Sequence, residues 1–445
     1  MALASRRHGK VMRLALPIML GMLSQSMLNI IDAALVGHLG QVALAGVGVG
    51  GYAMFMMTAL VFGLSSSVQS QTSQRLESGR HRAVQPLQAG LAIGTTIGLP
   101  LSLLAWWQAP ALLNLITQTS DVHSVAVDYF RWRVVALTAI ALTLCFRGYW
   151  NGRQQTQLYL RIILIVQVFN VIASSGLIYG LAGLPKLGAS GAGVGTTLSL
   201  FLGLFIWLGV TLQQRRDNGF LQRSLSYPTL RSTLALAAPH SLQQVCFAGG
   251  YVVLFWLLSR LGTASVAVGH VLVNLSLLLI LPGVGVGVAA MSLVGEALGR
   301  DDQAAAHRWG LDALRVAGLL LAILALPMLV MPAQVLGIFF SSHELVALGT
   351  LPLQITGAMI VLDAAALVLA QALMGAGAQR TVMMLTLSMQ WLVFLPLAWW
   401  VGVGLEQGLL GVWIMQLFYR LLNSIGFLWI WQRRRWLAPN ILNSV

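Results

Sequence analysis

Charge is scarce in this chain. Of 445 residues, 12 are acidic and 26 basic, so 9% are charged, against about 25% in a soluble globular protein. That shortage excludes an ordinary water-soluble fold. Together with 58% hydrophobic residues and a mean hydropathy of +0.81, it points to a polytopic membrane protein. There are two cysteines, Cys145 and Cys246, in separate apolar stretches. Two isolated thiols build neither a disulfide framework nor a cysteine metal cluster. Alternating segments of about 10 residues are missing, which argues against a β-barrel. No GxxxxGK[ST] phosphate loop and no long hydrophilic stretch occurs, so no ATP-hydrolysing domain is expected. The first apolar run is too long for the core of a signal peptide, and no cleavage is expected.

What is present is a series of apolar runs about 20 residues long, the length that crosses a hydrocarbon core of about 30 Å as a helix. They predict an all-α integral membrane protein with twelve transmembrane helices, at 14–37, 47–71, 86–107, 134–150, 159–181, 190–212, 234–258, 267–294, 311–331, 350–374, 381–401 and 408–431. With the N-terminus inside, all but five of the 26 basic residues fall on the cytoplasmic side. They include Arg6, Arg7, Lys10, Arg13, Arg75, Arg80, Arg82, Arg147, Arg153, Arg223, Arg300, Arg308, Arg315 and Arg435, whereas Arg131, Arg133, Lys186, Arg260 and Arg420 do not fit. The net charge of +14 is therefore a topology signal with both termini cytoplasmic, not a nucleic-acid footprint.

The chain repeats. A shift of 222 residues sets LALPIMLGMLSQ (14–25) on LALAAPHSLQQV (234–245), Pro17 on Pro239 and Leu39-Gly40 on Leu261-Gly262. CFRGYWNGRQQT (145–156) corresponds to ALMGAGAQRT (372–381). Two pseudo-symmetric six-helix lobes follow, 1–222 and 223–445. Six is even, so the repeat is parallel, an arrangement common in secondary transporters.

Two carboxylates, Asp32 and Asp363, sit deep in apolar runs. A charge there costs roughly 2.5–3.5 kcal/mol on insertion scales, so such a residue is a functional candidate by default. Helix 1 carries Gln25, Asn29 and Asp32 on one helical face. A neutral Asn would serve packing alone, whereas a carboxylate adds a titratable charge. Helix 5 carries Gln167, Asn170 and Ser174, with Asn170 the expected partner of Asp32. Helix 10 carries Thr356, Asp363 and Gln371, helix 8 His270 and Asn274, and helix 7 Gln244. For each polar stripe the alternative is a hydrogen bond that fixes helix packing. GASG (188–191), with His240 or His270 as base, matches the GxSG of rhomboid intramembrane proteases, but its setting, GASGAGVGT, reads as small-residue helix packing.

LALPIMLGMLSQSMLNIIDAALVGHLG, VAVGHVLVN (266–274) and LDAAALVLAQALMGAGAQRT (362–381) resemble segments of the multidrug and toxic compound extrusion (MATE) family. The Asp32–Gly37 and Asp363–Gly375 spacings carry the resemblance. It implies a V-shaped pair of six-helix lobes around a central chamber, in a monomer of the bacterial inner membrane. It also implies export of cationic amphiphiles in exchange for protons or sodium ions. Asp32, Asn170 and Asp363 would be coupling residues, and Gln25, Asn29, Gln167, Ser174, Gln244, His270, Asn274, Thr356 and Gln371 chamber residues, with no bound cofactor or metal. Phe247 stands where NorM-like members have a Glu, and Ser174 where many DinF-like members have an Asp, so protons are preferred to sodium and the branch stays open. A lipid-linked-oligosaccharide flippase of the same superfamily is the alternative; it would want a strongly cationic chamber.

Overall fold

The computed structural model describes residues 2–117, 119–222, 225–434 and 436, with the backbone alone for 2–5 and 80. Arg223 and Arg435 lie outside the described residues, as does the side chain of Arg80. The described residues are helical, without a strand. The chain divides into two compact units, 20–241 and 1–19 with 242–445.

The first unit takes the rest of α1 (Ala2–Gly37), then α2 (Gln41–Val61), α3 (Gly63–Gln74), α4 (Arg80–Trp107), α5 (Ala109–Asn114), α6 (Ser120–Val134), α7 (Leu137–Gly152), α8 (Thr156–Tyr179), α9 (Ala189–Gln213), α10 (Arg215–Asn218) and the start of α11 (Tyr227–Arg260). Its core is built around Phe130, Phe146, Tyr149, Trp150 and Trp207, with Phe146 and Trp207 stacked at 6.4 Å. α3 is polar and yet buried along its whole length. In a membrane such a helix needs internal partners. Gln71 Nε2 donates to Thr233 Oγ1 at 2.9 Å, and Ser232 Oγ donates to Gln71 Oε1 at 2.9 Å. Ser66 Oγ and His240 Nδ1 are 2.6 Å apart.

The other unit holds the opening of α1 and the end of α11, then α12 (Thr263–Gly299), α13 (Gln303–Val330), α14 (Pro332–Gly337), α15 (His343–Gly375), α16 (Gln379–Leu387), α17 (Leu395–Trp399) and α18 (Gly408–Gln432). π-helical turns at Ser388–Phe394 and Trp400–Gly404 flank α17. α12, α13 and α18 all pack on α15, around Leu258, Leu272, Leu353, Ile360 and Trp413.

Among the described residues, eleven helical segments are long and apolar enough to cross a bilayer, with Gln41–Gln74 and Gln379–Gly404 each counted as one. α6 followed by α7, bent by 47°, makes a twelfth candidate crossing when the pair is taken as one span. The sequence expectation of 134–150 caught only its second leg. Asp121, Asp128, Arg131 and Arg133 break the apolar pattern of the first. The repeat extends to the backbone: Gly40 and Gly262 adopt matching positive-φ conformations (109°, 173° and 103°, 166°) before α2 and α12. Only glycine takes these angles cheaply. The short helices α5 and α14 correspond too, each with proline in its first two residues.

Candidate functional site

In the first unit, α1 presents Gln25 and Asn29 as exposed side chains and Asp32 as a half-buried one. Asp32 Oδ1 is sealed from solvent and has no hydrogen-bond partner among the described residues. On α8, Gln167, Asn170 and Ser174 are buried. Ser174 Oγ donates to Asn170 Oδ1 at 3.4 Å. The expected Asp32–Asn170 hydrogen bond is not formed: Asn170 is turned to its own helix. The cation acting electrostatically on Asp32 is Arg133 of α6, whose Nε likewise lacks a hydrogen-bond partner. Gln167 Nε2 on α8 is likewise buried without a hydrogen-bond partner among the described residues. α9 can approach so closely because Gly195 faces Ser174; a Cβ there would lie 2.6 Å from the hydroxyl. Unpartnered polar atoms in an apolar setting are costly. They are places where a proton, a water or a ligand group gains most.

The second unit treats its acid differently. Asp363 of α15 is buried, and its Oδ2 accepts a hydrogen bond from Arg420 Nη1 of α18. Its charge is matched inside the protein. Thr356 Oγ1 accepts from Trp413 Nε1 at 2.9 Å and donates to the Pro352 carbonyl at 2.8 Å, so it is occupied with packing. Gln371 lies where α12 meets α15; a Cβ on Gly287 would come within 2.8 Å of its Cγ. Gln244 is half-buried on α11. His270 and Asn274 are exposed on α12, and Asn274 Nδ2 donates to the His270 carbonyl at 2.8 Å. A cavity of about 20 Å³, room for one water, is lined by Phe247, Tyr251, Gln390, Tyr419 and Arg420 among others. No group of three or more His, Cys, Asp or Glu side chains that could hold a metal occurs among the described residues.

Two buried charges escaped the sequence expectation. Arg420 was visible only as an exception to the positive-inside pattern. Its signal is the Gln416, Arg420, Asn423 spacing on α18, the same face periodicity that marks helix 1; all three are buried. Asp312, at the margin of an apolar run, is buried beside Arg7 (2.8 Å), Arg315 (3.3 Å) and His8 (3.5 Å). The GASG segment packs helices: a Cβ at Gly191 would lie 2.6 Å from the Leu177 carbonyl, and one at Gly193 would lie 3.1 Å from the Tyr129 carbonyl. His240 is directed to Ser66, not to Ser190.

A profile of the MatE family matches residues 17–174 and 239–400, both halves of the chain. The chain belongs to the MatE family. Among its relatives, a probable multidrug resistance protein NorM of Bradyrhizobium diazoefficiens is 28% identical over 419 residues, 91% of this chain and 89% of that one. A probable multidrug resistance protein NorM of a Synechococcus species is 25% identical over 422 residues, 91% and 89% of the two chains. A multidrug resistance MATE transporter of the MOP superfamily, solved in its outward-facing conformation, shares the fold with a TM-score of 0.89 and 21% identity, over 99% of this chain and 97% of that one. A MATE structure in complex with MaD3S gives 0.88 at 22% identity, over the same shares. Within this MatE chain, then, the two units carry unlike chemistry: a carboxylate with an unpartnered oxygen in one, and a neutralised ion pair in the other.

Proposed function

We propose that this chain is a multidrug efflux antiporter of the bacterial inner membrane that exports cationic amphiphiles in exchange for protons. It acts as a monomer with both termini cytoplasmic. The observation that carries the reading is the contrast between Asp32 and Asp363. Asp32 keeps an unpaired oxygen on a polar helix face, so a proton or a cationic ligand can change its state. Asp363 is occupied by Arg420. A protein-borne guanidinium stands where a free cation would otherwise be held. This supports proton over sodium coupling, as does Phe247 with its lack of oxygen ligands. It also weakens the flippase reading, because the deep positive charge of Arg420 is already compensated.

In the proposed cycle Asp32 takes a proton from outside, the drug loses its counter-charge and leaves, and the proton is released to the cytoplasm after the change of access. Ligands shift conformations only through differential affinity, so proton and drug must compete for Asp32 or favour opposite states. The decisive experiment is drug transport in proteoliposomes under imposed pH or sodium gradients. Asp32→Asn is expected to abolish proton-driven exchange. Full exchange by that variant refutes the role of Asp32. Sodium-driven transport without a pH gradient refutes the choice of ion.

A further inference from the structure

A groove of about 460 Å³ runs between the opening of α1 and α13, within one compact unit. The lipid-facing surface of any span is apolar, so an apolar groove alone means little. This one has a chemically distinct end. Its floor and walls are Gly9, Met12, Val316, Leu319, Leu320 and Ile323, and its mouth is formed by His8 and Arg315. Leu319 and Ile323 are 68% and 55% exposed, a surface that water would not favour.

The mouth is positively charged. Arg7, His8 and Arg315 surround the single carboxylate of Asp312. Two guanidinium groups against one acid leave a positive charge uncompensated, and the half-exposed imidazole of His8 stands beside them. Asp312 is almost fully buried, whereas the Arg315 side chain is 66% exposed. Arg315 is therefore fixed at its root and free at its tip. Arg308 lies on the same helix face, seven residues earlier, and is exposed. A basic pocket between transmembrane helices on the arginine-rich side suits an anionic lipid headgroup.

We infer that this groove binds one anionic phospholipid, its phosphate at His8 and Arg315 and one acyl chain along Met12, Leu319, Leu320 and Ile323. The occupant must be both anionic and long-chained. A soluble anion would leave the apolar length empty, and a zwitterionic lipid would carry its own cation to the basic mouth.

Native mass spectrometry of the detergent-purified full chain, titrated with dioleoyl phosphatidylglycerol or dioleoyl phosphatidylcholine, tests this. The wild type should retain phosphatidylglycerol several-fold more than phosphatidylcholine. His8→Gln with Arg315→Gln should remove that preference while Arg7 still pairs Asp312. Gly9→Phe should lower retention of phosphatidylglycerol by filling the groove. A Cβ at Gly9 meets no atom within 4 Å, so the new side chain starts in open space, and an unchanged thermal unfolding temperature of the variant separates groove filling from misfolding. Excess inorganic phosphate should not displace the lipid. Equal retention of the two lipids, unchanged preference in the double variant, unchanged retention in Gly9→Phe, or displacement by phosphate would each overturn the assignment.

Discussion

Removing the carboxylate of Asp363 should be far more damaging than removing both members of its ion pair. Asp363 and Arg420 expose 4% and 7% of their surfaces. Asp363→Asn leaves the guanidinium buried without its counter-charge, and Arg cannot shed its proton. Breaking a buried pair from one side costs about 3–5 kcal/mol. Replacing both partners by neutral groups of similar volume is close to neutral, because the desolvation penalty disappears with the attraction. For a unit of about 200 residues, 1 kcal/mol moves Tm by about 2–4 °C, so Asp363→Asn should lose about 6–20 °C. Asp363→Asn with Arg420→Met should recover most of that loss. Arg420→Met alone should fall between, since an unpaired carboxylate can neutralise itself by taking a proton. The assay is thermal unfolding of the detergent-solubilised protein, followed by fluorescence-detected size exclusion. If the double variant is no more stable than Asp363→Asn, the pair is not the reason Asp363 matters. If Asp363→Asn is unchanged in Tm, the buried pair itself is refuted.

Other consequences can be checked in the same preparation. Trp413→Phe removes the donor to Thr356 and should cost about 1–2 kcal/mol, seen as a lower Tm with transport retained. Gly195→Leu forces bulk against Ser174; overpacking of this kind costs about 1–3 kcal/mol, and transport should fall with it. Asp312→Ala leaves Arg7 and Arg315 facing each other without their acid, and hydrogen–deuterium exchange should rise over residues 6–12 of α1 while α15 stays protected.

The helical membrane architecture and the repeat were legible in the sequence because each rests on a strong local signal, run length and a fixed shift; Asp32 stood out as a charge where hydropathy forbids one. Arg420 did not, although it obeys the same rule as Asp363. In the positive-inside pattern Arg420 is one exception among five, and that pattern does not set it apart from Arg131, Arg133, Lys186 and Arg260. The Asp363–Arg420 pair could not be read at all, because its members are 57 residues apart on different helices. Asp312 was hidden for another reason. A carboxylate at a helix end reads as solvated until tertiary packing brings the start of α1 over it. The Asp32–Asn170 expectation failed on geometry: sharing a polar face with a suitable helix does not set a rotamer, and Asn170 satisfies Ser174 instead.

The bend between α6 and α7 has a bearing on ancestry. Counted as one crossing, the broken pair gives each half an even number of passages. A gene encoding one half could then be copied and joined head to tail, and the second copy would enter the membrane in the same sense as the first. Counted as none or as two, the passages of the first half would be odd in number, and a copy of it would be inserted upside down. Taken as one bent passage, α6 and α7 leave the first half of the chain with the same six passages as the second.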